Sequence, residues 1–207
     1  MEQAELKPYD IMSERSRQRS GRWKLLMVLV VCAFPLVGSY FTYYVLKPGA
    51  RNNYGALIDP RAHPVPALAA TTLDGKPASL DAFKGKWIML QTGPSDCRQA
   101  CRKQLFAMRQ LRLMQGKEME RIERVWLITD AQPLETMVMR EFDGTSMLRV
   151  SAAALGRWLP VEPGGNAADH LYLIDPLGNL MMRFPKDADP SRVKQDVAKL
   201  LKASAIG

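Results

Sequence analysis

Cysteine and histidine are scarce in this chain of 207 residues, with three of the first and two of the second. The cysteines are Cys32, Cys97 and Cys101, and the histidines are His63 and His170. So few cysteines exclude a disulfide-stapled scaffold, and with nearly half the residues apolar a core forms without staples. Internal repeats and low-complexity tracts are absent. The formal charge is +8, yet the basic residues gather on no recognition element. Part of the excess precedes an apolar run and the rest is mixed with acids, which argues against nucleic acid as a partner.

Charge is missing altogether from residues 25–46 (LLMVLVVCAFPLVGSYFTYYVL). That is about the length that crosses a bilayer core. Arg15, Arg17, Arg19, Arg22 and Lys24 crowd its N-terminal side, with Lys47 and Arg51 the nearest cations beyond. The positive-inside rule then places residues 1–24 in the cytoplasm and everything after Lys47 across the membrane. Trp23 at one end and Tyr40, Tyr43 and Tyr44 at the other read as interfacial anchors. A cleaved signal peptide is the competing reading, but only Val37-Gly38-Ser39 offers small residues and the apolar run continues past it. Glu2, Glu5, Asp10 and Glu14 are unlike an acid-poor transit peptide. The expected setting is a bacterial inner membrane, single-pass, with the C-terminal domain in the periplasm.

Residues 47–66 (KPGARNNYGALIDPRAHPVP) shift to Pro, Gly, Asn and Ala and read as a tether. His63 falls within it and reads as solvated. From residue 67 to 207 strand and helix signals alternate. Strands are expected at 67–73, ending at Asp74-Gly75, then at 87–92, 125–129 and 170–174, with 179–184 as a hairpin partner. Helices are expected at 98–115 and 134–142, with a short one at 154–158. The last opens on Asp189-Pro190, a cap followed by proline at the first helical position, and runs to about 203. Lys117 to Arg124 (KEMERIER) alternates charge and reads as a solvated loop or helix end. Such alternation implies a central sheet covered by helices.

Cys32 lies mid-membrane and behaves as a small hydrophobe. That leaves Cys97 and Cys101 as a pair in an oxidising compartment, where so short a loop staples little. Chemistry is the better reading, with an inert structural disulfide as the bland alternative. The pair falls where the second strand turns into the first long helix of the domain, and reactive sites in open α/β sheets concentrate at such strand ends. The helix N-terminus favours thiolate over thiol, and Arg98, Arg102 and Lys103 add positive charge nearby. Three intervening residues place the sulfurs about one helical turn apart. Two thiolates so placed suit both disulfide chemistry and chelation of copper(I).

In chain order the sequence shows Gly75-Lys76-Pro77, Ser79-Leu80, Gly85-Lys86-Trp87, Cys97-x-x-x-Cys101, Leu127-Ile128-Thr129-Asp130 and Tyr172-Leu173-Ile174-Asp175-Pro176-x-Gly178. This series resembles the Sco/SenC family of copper-binding, thioredoxin-like assembly factors for cytochrome c oxidase, over residues 66 to 203. The resemblance implies an α/β, thioredoxin-like three-layer sandwich behind an N-terminal transmembrane helix. It also implies that Cys97 and Cys101 bind copper, or reduce the cysteines of the oxidase subunit that receives it. The family's third ligand is a histidine preceded by aspartate, which makes Asp169-His170 the candidate, with Asp169 positioned to set the ring's tautomer.

The chain also departs from the family pattern. His170 sits about three residues closer to the Asp-Pro-x-Gly turn, and an odd shift along a strand sends a side chain to the opposite face. Counted back from Gly178, however, it falls near where thioredoxin-like folds place a cis-proline facing the cysteine loop, a position from which a histidine still reaches the sulfurs. Arg98-Gln99-Ala100 separates the cysteines in place of the usual proline and acid, and Ala131-Gln132-Pro133-Leu134 replaces the segment usual after Asp130. Met137, Met139, Met181 and Met182 read as core and gap fillers, although thioether binds copper(I). The favoured reading is a copper metallochaperone using Cys97, Cys101 and His170, with the copper-bearing subunit of cytochrome c oxidase or another copper protein as partner. A membrane-tethered thiol–disulfide reductase is the alternative, and a scaffold that has lost its chemistry the third reading. The Thr-Pro-containing signature of a peroxidatic cysteine is absent.

Overall fold

The computed structural model describes residues 9–46, 53–204 and 206. The chain divides into two units, Met1–Arg51 and Asn52–Gly207. Residues 1–8 of the expected cytoplasmic segment and 47–52 of the expected tether lie outside the described residues.

In the first unit, helix α1 spans Tyr9–Phe41 and continues as a wider π-helical turn over Thr42–Leu46. The stretch Arg22–Tyr44 is long and apolar enough to cross a membrane, with none of it buried. Large side chains such as Leu26, Val30, Phe34 and Tyr40 are all exposed. A helix apolar on every side has no polar face to offer water. Its 23 residues span about 35 Å at 1.5 Å per residue, enough for a hydrocarbon core of about 30 Å. Cys32 lies exposed on this helix, unpaired.

The second unit is a mixed sheet covered on both faces. Its strands are β1 (Ala56–Leu57), β2 (Ala70–Thr72), β3 (Pro77–Ala78), β4 (Trp87–Gly93), β5 (Ile122–Ile128), β6 (Ser146–Arg149), β7 (Tyr172–Ile174) and β8 (Leu180–Arg183). The spatial order is β1-β8-β7-β4-β5-β6-β2-β3. β4, β5 and β6 run parallel in the centre, and β7 and β8 fold back as an antiparallel hairpin. The helices are α2 (Gln99–Leu113), α3 (Thr136–Glu141), α4 (Ala152–Trp158) and α5 (Pro190–Ala203).

Period-two alternation along the strands divides the core in two. Trp87, Met89, Trp126, Ile128 and Leu173 pack with Leu105, Met108 and Leu111 of α2 and with Val193, Val197 and Leu201 of α5. Their neighbours Ile88, Leu90, Val125, Leu127, Tyr172 and Ile174 pack on the other face with Leu155 and Trp158 of α4. The i, i+3, i+6 spacing in α2 makes one buried stripe, while Arg112 on the same side caps the Ile122 carbonyl at 2.8 Å. α5 begins as expected, with Asp189 accepting from the Ser191 N–H at 2.8 Å and Pro190 in the first turn.

Several expectations are corrected. The tether reading of 47–66 does not hold from residue 53 on. β1 pairs with β8, and the buried Asp196 carboxylate accepts from Tyr54 N at 2.6 Å and Gly55 N at 2.9 Å. A Cβ at Gly55 would lie 2.5 Å from Met182 Sδ, so only glycine lets the chain approach there. His63 is half-buried and its carbonyl accepts from Leu180 N at 3.3 Å. The KEMERIER run is not all solvated, because β5 starts inside it at Ile122 and Arg124 is buried. Met182 is core, but Met137 is 69% exposed and fills nothing. β6 lies outside the strands expected from the sequence, because its residues (SMLR) show no apolar alternation and only Leu148 is buried.

Candidate functional site

The loop leaving the C-terminal end of β4 carries Pro94, Ser95 and Asp96 to Cys97, and α2 begins two residues later. Cys97 and Cys101 are joined as a disulfide, with their Cα atoms 5.2 Å apart. Cys97 is 6% exposed and packs into the α2-side core, with half-buried Cys101 against the same cluster. Cys101 is the third helical residue of α2, within the turn whose N–H groups lack intrahelical acceptors. Those N–H groups and the helix dipole favour a thiolate when the bond is open.

The flanking cations contribute less than their number suggests. Arg98 pairs with Asp96 at 3.0 Å, and Lys103 with Asp187 at 2.8 Å. Arg102 holds Glu135 at 2.6 Å and Glu141 at 3.2 Å, while its Nε donates to the Cys97 carbonyl at 3.2 Å. Each cation expected to draw out the thiolate already faces a carboxylate, so the helix N-terminus is left as the main source of positive potential. An open cleft of about 810 Å³ lies beside the pair, lined by Ser95, Asp96, Cys97, Arg98, Arg102, Asp130, Gln132, Pro133 and Glu135.

Asp130 braces this cleft. Its carboxylate accepts from Ser95 N at 3.0 Å and Gln132 N at 3.2 Å, with Arg149 at 3.8 Å. Burial works to raise its pKa, but the hydrogen bonds from Ser95 and Gln132 and the Arg149 charge outweigh it and hold the carboxyl below the usual carboxylate range. A depressed folded-state pKa stabilises the fold above the ordinary value of about 3.9, and that contribution is lost as pH falls through the folded pKa. Asp130→Asn is therefore expected to lower stability to urea at pH 7, with the gap to wild type shrinking below about pH 4. A gap independent of pH would show that the charge is not what braces the loop. Sequence reading found Asp130 through its motif but missed its partners Ser95, Gln132 and Arg149, which come from three separate segments.

His170 is not brought to the sulfurs. Leu171 and Leu173 face the α2 side with the cysteines, whereas Tyr172 and Ile174 face α4. His170, in extended backbone, alternates onto the α4 side with its ring edge-on to Tyr172 at 6.1 Å. It is 1% exposed, with Nδ1 3.0 Å from the Phe184 carbonyl and Nε2 accepting from Glu162 N at 3.5 Å. The Phe184 carbonyl thus places the proton on Nδ1. Asp169 does not set the tautomer, since its carboxylate is taken by Lys186 at 3.1 Å and Asn166 N at 3.2 Å. Among the described residues no group of three or more His, Cys, Asp or Glu side chains is placed to hold a metal. Two sulfurs are the donor set the geometry offers.

A central mixed sheet with helices on both faces, and a cysteine pair at the head of the helix following its central strand, define a thioredoxin-like domain. Residues 87–204 match the family model described as transmembrane-like, thioredoxin-like, C-terminal domain, and the chain belongs to that family. Similar solved structures include yeast Sco1 with copper bound (17% identity, TM-score 0.51, covering 68% of this chain and 91% of that one). A SCO1/SenC family lipoprotein from Bacillus anthracis str. Ames is similar at 20% identity and TM-score 0.53, over 72% and 98% of the two chains. The thioredoxin domain of a thiol-disulfide oxidoreductase from Bacteroides vulgatus is similar at 19% identity and TM-score 0.51, over 67% and 95%. At these identities the likeness establishes a shared Sco-like, thioredoxin-like fold. No curated protein matches the sequence.

Proposed function

We propose that this protein is a membrane-anchored thiol–disulfide reductase. Its N-terminus is cytoplasmic, α1 is the anchor, and the domain lies on the periplasmic side of a bacterial inner membrane. The observation that carries this reading is the bonded Cys97–Cys101 pair at the head of α2, opening on a cleft while His170 packs edge-on to Tyr172 and bonds the Phe184 carbonyl. In the reduced state the Cys97 thiolate attacks one sulfur of a partner's disulfide and expels the other sulfur as thiolate. The Cys101 thiolate then attacks Cys97 Sγ, closing the intramolecular bond and releasing the partner's second thiolate. Two electrons pass to the partner, and a dithiol donor must restore the pair. The resemblance to Sco proteins directs the choice of partner to the cysteines of a copper protein, the copper-bearing subunit of cytochrome c oxidase above all.

The test is equilibration of the full chain, in detergent micelles, with glutathione buffers of graded potential, followed by alkylation and mass measurement. A reversible two-electron transition of Cys97 and Cys101 is expected. A bond that stays closed across the whole range, or opens only on unfolding, would make the disulfide structural and end the proposal.

Copper handling is the second reading, favoured by the likeness of the fold to yeast Sco1 with copper bound. Copper here is cargo, held by the two sulfurs at the helix N-terminus, because thiolates suit copper(I). Anaerobic copper(I) titration of the reduced chain against a competing chelator separates the readings. Tight stoichiometric binding that is lost in the Cys97→Ser, Cys101→Ser variant supports a metallochaperone, and binding no stronger than in that variant removes copper from the account.

A further inference from the structure

Arg124 lies at the end of the sheet opposite the cysteine pair. On β5 it alternates onto the same face as Ile122 and Trp126, beneath α2. The residue is 6% exposed, and its Nη2 donates to the Asp143 carbonyl at 3.0 Å while Nε and Nη1 are buried without partners. Among the described residues no carboxylate pairs with it, although the guanidinium keeps its charge in any protein environment. The register that sets Val125 beside Ser146 puts Thr145 beside Arg124, and the buried Thr145 Oγ1 is also unpartnered.

The surroundings add charge of the same sign. Burial and the nearby Arg112 and Arg109 all disfavour the charged form of Arg124, with Glu123 and Asp143 only partly opposing them. Arg109 donates to the Glu141 carbonyl at 2.9 Å, and Arg112 reaches the Ile122 carbonyl and Glu120. The turn over the site is closely fitted to the guanidinium. Gly144 has φ +74°, and a Cβ there would lie 2.8 Å from Arg124 Nη2. A buried charge without a counter-charge is strongly unfavourable, and two more cations beside it make it worse.

We propose that Arg124, the Thr145 hydroxyl, Arg109 and Arg112 form a binding site for a small oxyanion of the phosphate or sulfate type. The anion supplies the missing counter-charge, accepts from the two free guanidinium nitrogens, and takes the hydroxyl proton of Thr145 as a hydrogen bond. Planar guanidinium donors match oxyanion geometry, and a cluster of three on one small face raises the local potential for it. The site is independent of the cysteine chemistry.

Thermal unfolding of the full chain in detergent, read by tryptophan fluorescence, tests this with inorganic phosphate titrated at constant ionic strength against chloride. The expected result is a saturating rise in melting temperature, roughly 5–10 °C at a hundred times Kd. Arg124→Met abolishes the rise and melts no lower than wild type without phosphate, and Thr145→Val reduces it. A rise that is absent, fails to saturate, or survives unchanged in Arg124→Met overturns the site. Should that variant not fold, an unchanged phosphate response in both Thr145→Val and Arg112→Gln overturns it equally.

Discussion

Replacing Cys101 by serine is expected to freeze exchange at the mixed disulfide, with the partner covalently held on Cys97. Cys97 lines the cleft although it is the more buried of the two, whereas half-buried Cys101 is not among the residues that line it. That arrangement makes Cys97 the attacking sulfur and Cys101 the resolving one. The Cys101→Ser chain incubated with a disulfide-bonded cysteine peptide should yield an adduct that disappears on reduction, and Cys97→Ser should yield none. Net reductase activity falls to the protein-free level in both. The fold survives, because closing a loop with a sequence separation of 4 contributes only roughly 2 kcal/mol of chain entropy. Trapping by Cys97→Ser alone would reverse the two roles, and trapping by neither would remove exchange as the activity.

His170→Ala is expected to act on stability and leave the sulfur chemistry alone. The ring is buried between the Phe184 carbonyl and the Glu162 N–H. Its removal leaves two backbone groups without partners and opens a cavity beside Tyr172. Together these cost about 2–4 kcal/mol. Urea unfolding measures that loss, and the glutathione equilibrium of Cys97 and Cys101 and the copper(I) stoichiometry should be unmoved below the melting range. The opposite outcome, unchanged stability with weakened copper(I) binding, would make His170 a ligand and would require the strand to present it on the cysteine face.

These two expectations rest on different amounts of legible sequence. The long apolar helix, the strands β4 and β5, the hairpin of β7 and β8, and the caps of α5 are all visible in runs, turns and capping residues, because each is decided by neighbours within a few positions. The strand β1 was not, since two residues carry no pattern. Its place depends on Asp196 of α5, more than a hundred residues away, accepting from Tyr54 N and Gly55 N. The same holds for the cations around the cysteines. Spacing puts Arg98, Arg102 and Lys103 beside the thiols, but only the fold brings Asp187, Glu135 and Glu141 against them and cancels most of their field.

By itself the sequence determined an apolar helix able to cross a membrane, an α/β sandwich behind it, and a cysteine pair at the head of a helix, because hydrophobic period, capping and spacing are local properties. Tertiary structure decided the rest. It assigned His170 to the face away from the sulfurs, since in a strand one residue of register exchanges the two faces. It also left Arg124 beneath α2 without a counter-charge, since burial and pairing depend on which distant elements meet.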